Sequence, residues 1–67
     1  MFKKFSKGER VVLQRTDAPF YQKNDEAVII SAKYSKAEGE VVYLAIFENR
    51  QEWLIKESDC KKVEIIS

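Results

Sequence analysis

The sequence predicts an all-β fold, a five-stranded antiparallel barrel with a long first loop and a 3₁₀ turn before the last strand. Three observations carry that expectation. The run from Val41 to Cys60 reads as strand, tight turn, short strand, and then a polar turn that ends on one small apolar residue. Two further stretches, 9–15 and 27–35, are rich in β-branched residues and bounded by turn formers. All connections are short except one, between 16 and 26. Short strands on short connections suit a closed or nearly closed antiparallel arrangement, which removes most exposed strand edges.

The elements follow in order. Glu9 to Arg15 is the first expected strand; its Val11-Val12-Leu13 lies between Gly8 and the polar pair Thr16-Asp17. Alternation sets Val11 and Leu13 on one face. Thr16 to Glu26 is polar and holds the only proline, Pro19, which biases Ala18 to extended backbone and blocks a regular helix. Ala27 to Ser35 is the second strand. Val28, Ile30, Ala32 and Tyr34 share one face, and Ala27, Ile29, Ser31 and Lys33 the other. Residues 35–40 form a turn in which Gly39 can take a positive φ. One helical turn within 33–40 is the alternative. Val41 to Glu48 is the third strand, with Val42, Leu44 and Ile46 expected toward the core and Val41, Tyr43 and Phe47 opposite. Asn49-Arg50 makes the hairpin turn, since Asn tolerates left-handed backbone. Gln51 to Lys56 is the fourth strand, with Leu54 as its core residue. Glu57 to Cys60 is the 3₁₀ turn, and Lys62 to Ile66 the fifth strand.

Sixty-seven residues make one domain, 1–67, with 1–6 as an N-terminal arm. A chain of this length buries only about 60% of the surface its unfolded form exposes, so its stability margin is small. The composition, 45% hydrophobic and 34% charged, is that of a folded domain and not of a disordered one. One cysteine and no histidine leave no internal disulfide and no ordinary Cys/His zinc site, so neither metal nor cofactor is expected. The lone cysteine fits a reducing, cytoplasmic setting. No apolar run approaches the roughly 18 residues of a membrane helix, and the basic Met1–Phe5 segment lacks the apolar stretch of a signal peptide. No membrane role is expected.

The segments Lys7-Gly8-Glu9-Arg10-Val11-Val12, 27–35, 41–48 and Trp53-Leu54-Ile55-Lys56-Glu57-Ser58-Asp59-Cys60 together resemble an SH3-like barrel of the Tudor/KOW-like sort. The resemblance covers residues 7–66 and implies a buried Cys60, at a position where such barrels often carry leucine. The chain departs from peptide-binding SH3 domains in lacking a consecutive tryptophan pair and an acidic cluster in the long loop. A proline-rich ligand is therefore not implied, nor is a full aromatic cage for methylated side chains. By analogy, a chain of this size resembles small accessory proteins of bacteria, plasmids or phages that act as inhibitors or regulators.

Catalysis is not expected. Histidine, the commonest general acid or base, is absent. The close acidic pairs Glu38/Glu40, Glu48/Glu52 and Glu57/Asp59 fall in turns, where solvated charge is normal. Lys61 and Lys62 would activate Cys60 only if it were exposed. Gly8 and Gly39 do not make a phosphate loop.

The aromatics lead elsewhere. If Val42, Leu44 and Ile46 fill the core, then Tyr43, Phe47 and Trp53 form an exposed aromatic surface, the mark of an interaction site. Alternatively, the 16–26 loop folds over them and Phe20 and Tyr21 provide the cover. The expected activity is that of a non-enzymatic module binding a protein partner through Phe20, Tyr21, Tyr43, Phe47 and Trp53, with Arg15 and Arg50 at the rim. Phe2 and Phe5 make a second pair, packed on the barrel or anchoring a partner. Residues 1–15 hold five basic residues against Glu9, a local +4 within a net charge of +1. Lys3, Lys4, Lys7, Arg10 and Arg15 therefore support an alternative, a nucleic-acid-binding barrel. A homo-oligomer subunit is the third reading.

Overall fold

A computed structural model describes residues 3–16 and 18–63. Its elements are β1 (Arg10–Leu13), β2 (Glu26–Ser35), β3 (Glu40–Phe47), β4 (Glu52–Lys56), a 3₁₀ turn (Glu57–Asp59) and β5 (Cys60–Lys62). Every pairing is antiparallel, in the spatial order β4-β3-β2-β1-β5. The all-β class, the five strands and the 3₁₀ turn are as expected. Closure is not: β4 and β5 lie at the two ends of one sheet and do not pair. The last strand starts at Cys60, on β1, because Leu13 pairs with Cys60 and Val12 with Lys61. Most of the expected fifth strand, along with Phe2, lies outside the described residues.

Turn chemistry explains the connections. Gly8 and Gly39 both take positive φ, and the Gly39 N–H donates to the Ser35 carbonyl at 2.8 Å to close the β2–β3 turn. At the β3–β4 hairpin, Arg50 N–H donates to Phe47 O and Phe47 N–H to Gln51 O. That is a three-residue loop whose last residue is left-handed, so Arg50 (φ 64) takes the strained position and not Asn49. Asn49 contributes instead through its side-chain oxygen, which accepts from Gln51 N–H at 3.1 Å.

The core is Phe5, Val11, Leu13, Ala18, Tyr21, Ala27, Ile29, Val41, Tyr43, Ala45, Phe47, Ile55 and Cys60. This inverts the expected facing of two strands. On β3, Tyr43 and Ala45 are wholly buried and Phe47 nearly so, while Leu44 and Ile46 are only half-buried on the outer face. On β4, Ile55 packs inward and Leu54 is 54% exposed. The physical reason is size. Tyr43 and Phe47 are the largest side chains on β3, and Ala45 between them leaves room for neighbours, so this face fills the interior with the most apolar area. The charges of β4 say the same: Glu52 and Lys56 share the phase of Leu54, and a strand carrying two charges on one side turns the other side inward.

In β2 the alternation breaks at a bulge between Ile29 and Ser31. Ala27 and Ile29 face the core opposite Phe47 and Ala45. After one extra residue, Ala32 is opposite Tyr43. Val28 and Ala32 therefore do not share a face.

Candidate functional site

The long loop is held by its own polar residues. Leu13 N–H donates to Asp25 O and Asn24 N–H to Leu13 O, pinching its ends together. Within it, Asp25 Oδ2 accepts from Gln22 N–H at 2.9 Å and Asn24 takes φ 79. Its start is tied to the 3₁₀ turn by Arg15 Nε, 2.7 Å from Asp59 Oδ1. So anchored, the loop lays Tyr21 over the end of the sheet.

Tyr21 stacks on Phe47 with ring centroids 4.0 Å apart and an interplanar angle of 21°. Trp53 meets Tyr21 edge-on at 5.9 Å. Phe20 stands edge-on to Trp53 at 5.7 Å and to Tyr21 at 6.3 Å. These contacts grade outward: Phe47 and Tyr21 are buried, Trp53 is 38% exposed and Phe20 is 64% exposed. The loop thus covers part of the aromatic surface and builds a new step with its own Phe20. The Tyr21 hydroxyl is buried with no hydrogen-bond partner among the described residues.

Beside this step opens a cavity of about 430 Å³ lined by Phe20, Tyr21, Phe47, Asn24, Asn49 and three carboxylates, Asp25, Glu26 and Glu48. No basic side chain lines it. Sequence reasoning missed these carboxylates because 25–26 and 48 are far apart in the chain. The β2–β3 pairing of Ala27 with Phe47 brings them together.

The other expected contact residues are placed differently. Tyr43 has no exposed surface and belongs to the core, so it offers a partner nothing. Its hydroxyl donates to Glu57 Oε2 at 2.5 Å and accepts from the Lys4 and Phe5 N–H groups at 3.0 and 3.2 Å. Phe5 packs on it at 5.2 Å. Burial, with the Glu57 hydrogen bond next, pushes the Tyr43 phenol up to about 12. Arg50 is exposed at the hairpin tip, outside the cavity lining. Among the basic residues, Arg15 is paired with Asp59, and Arg10 lines an adjoining hollow that shares Glu26, Phe47 and Glu48 with the cavity. Lys3, Lys4 and Lys7 are exposed.

Cys60 is buried, its sulfur 3.5 Å from the Lys56 carbonyl oxygen. Burial, followed by the charges of Asp59, Glu57 and Glu40, pushes its thiol up to about 12, so it is protonated and unreactive at neutral pH. Among the described residues no three His, Cys, Asp or Glu side chains converge as metal ligands would, and no helix is long and apolar enough to cross a membrane. No protein-family model matches the sequence, and no curated protein and no solved structure is significantly similar to it.

Proposed function

We propose that this protein is a non-enzymatic binding module that takes a basic segment of a protein partner across the Phe20–Trp53 step. The observation that carries this reading is a protruding aromatic ring beside a cavity whose charged lining residues are all carboxylates. An exposed ring on a small domain is a ready anchor. Its face and the neighbouring Asp25, Glu26 and Glu48 both favour a cation, the ring through its quadrupole and the acids through charge. Lysine and arginine also bring an apolar stem that lies along aromatic surface. The strand order, long first loop and 3₁₀ turn support reading the scaffold as an SH3-like barrel left open along one seam.

The test is an amide-resolved NMR titration with a short lysine- and arginine-rich peptide and an acidic peptide of equal length. The basic peptide should shift the amides of Phe20, Asn24 to Glu26, Glu48, Asn49 and Trp53, and the acidic one should not. Phe20→Ala and Glu48→Gln should each weaken binding about tenfold, the effect of losing roughly 1.4 kcal/mol at an anchor. Equal response to both peptides, or none to the basic one, overturns the reading. Shifts at Lys3, Lys4 and Lys7 on adding an oligonucleotide, with none at Phe20, would select the nucleic-acid alternative.

A further inference from the structure

The edge strand β4 carries a second, independent message. Because Phe47 N–H donates to Gln51 O, the phase of the β3–β4 ladder is set. Tyr43 and Ala45 turn their backbone groups toward Ile55 and Trp53. Glu52, Leu54 and Lys56 consequently point their N–H and C=O groups away from β3, along the end of the sheet. The Lys56 carbonyl is engaged at the N-cap of the 3₁₀ turn. β4 pairs with β3 alone, so the outward N–H groups of Glu52, Leu54 and Lys56 and the carbonyls of Glu52 and Leu54 have no strand partner among the described residues. Such a row of free donors and acceptors is a template for another strand.

We propose that the strand it receives is β4 of a second copy of this protein, antiparallel about a two-fold axis through Leu54. Charge complementarity identifies the occupant. The three outward residues are acidic, apolar and basic in order, Glu52, Leu54 and Lys56. Antiparallel alignment about Leu54 sets Leu54 against Leu54 and each Glu52 against the other copy's Lys56. Sliding the register by one pleat in either direction puts a charge against Leu54 instead, so the charges select one alignment. The aligned edges exchange a reciprocal pair of hydrogen bonds at Leu54, and each Lys56 N–H donates to the opposite Glu52 carbonyl. Leu54, 54% exposed in a single copy, becomes covered, and Trp53 comes to lie opposite the other copy's Ile55. The interface is isologous, so it closes as a dimer and does not propagate. The Lys56–Glu38 pair, 3.5 Å apart and exposed, is weak enough to exchange for the new partner. The carboxylate-rimmed cavity includes no residue of β4; Trp53 belongs to both surfaces, so peptide binding is read at Asp25, Glu26 and Glu48, and pairing at Leu54.

Sedimentation velocity from about 10 µM to about 1 mM tests this, since a dimer grows with concentration by mass action. Wild type should shift from monomer toward dimer. Leu54→Pro removes only an outward-facing N–H and is compatible with an edge strand; it should stay monomeric throughout while keeping the wild-type amide spectrum away from β4. Glu52→Lys sets like charges across the axis and should weaken dimerisation severalfold, and adding Lys56→Glu to it should restore wild-type association. If Leu54→Pro does not fold, the charge pair decides alone. A wild type that remains monomeric at the highest concentration, undiminished association of folded Leu54→Pro, or failure of the double reversal to recover overturns the proposal.

Discussion

Tyr43 and Phe47 stand on the same face of the same strand, four residues apart, and meet opposite circumstances. At Tyr43 the sheet is sealed. Its hydroxyl joins the arm at Lys4 and Phe5 to Glu57, and Glu40 at the start of the strand accepts from Ser58 N–H and Oγ at 2.9 and 3.1 Å. At Phe47 the cover is a loop whose tyrosine hydroxyl is unpartnered, whose next ring protrudes and whose flank is acidic. One end invests its aromatic ring in polar closure. The other leaves aromatic surface available at the edge of a cavity. Binding sites are commonly loops carried on a rigid scaffold, and this division puts scaffold and loop on a single strand.

The contrast can be broken most forcefully at the sealed end. Tyr43→Ala should cost about 3–5 kcal/mol, the range for deleting a buried ring. A domain of this length has little more to lose, so the variant should be largely unfolded by circular dichroism. Tyr43→Phe keeps the ring and removes the hydroxyl, leaving the Lys4 and Phe5 donors without that acceptor. A loss of roughly 1–3 kcal/mol in urea denaturation is expected, with amide changes confined to the arm and the 3₁₀ turn.

The same hydroxyl predicts a pH dependence. Its folded-state value, about 12, lies above the ordinary value near 10, so the folded state holds this proton more tightly than the unfolded chain. The stabilisation is fully present below pH 10 and disappears as pH rises through 12. Cys60, raised from 9.0 to about 12, acts in the same direction. The urea midpoint should fall between about pH 9 and 12, and less steeply in Tyr43→Phe. Glu40 has the opposite sign. The Ser58 donors hold its carboxyl below the usual range, so its contribution is lost as pH falls through that depressed value.

At the open end, effects on stability should be small. Phe20→Ala should change stability by no more than about 0.5 kcal/mol while weakening peptide binding about tenfold, the reverse of Tyr43→Phe. A loss of stability comparable to Tyr43→Phe would show that the step is core and not a binding surface. Tyr21→Phe should have the smallest effect. It removes a buried hydroxyl that has no hydrogen-bond partner among the described residues, so the urea midpoint should stay level or rise.

The strands were legible because turn formers punctuate them: Gly8, Gly39 and the Asn49-Arg50 pair each fall where the chain reverses. The facing of β3 was not legible, since Val41 to Phe47 is apolar at every position and period two carries no contrast there. β4 held the missing contrast in Glu52 and Lys56, and register carries it to β3, because Ile55 lies opposite Tyr43. Tyr21 and Phe20 were visible as candidates, but their division into cover and protrusion depends on how the loop is pinned at Asn24 and Asp25. The acidic rim depends on strand pairing alone and leaves no local signature.

The bulge in β2 has a consequence for how this chain can vary. Ile30 is a residue of slack in a strand otherwise committed to strict alternation. Loss of one codon for residues 28–30 removes the irregularity and leaves Ala27 and Ala32 on their present sides. Gain of one codon there also restores strict alternation, but it moves the pairing beyond it two residues along β3, setting Ala32 against Val41 in place of Tyr43. Length change at the centre of the sheet is therefore asymmetric in register and not in facing: shortening keeps the β2–β3 pairing, and growth displaces it by one pleat.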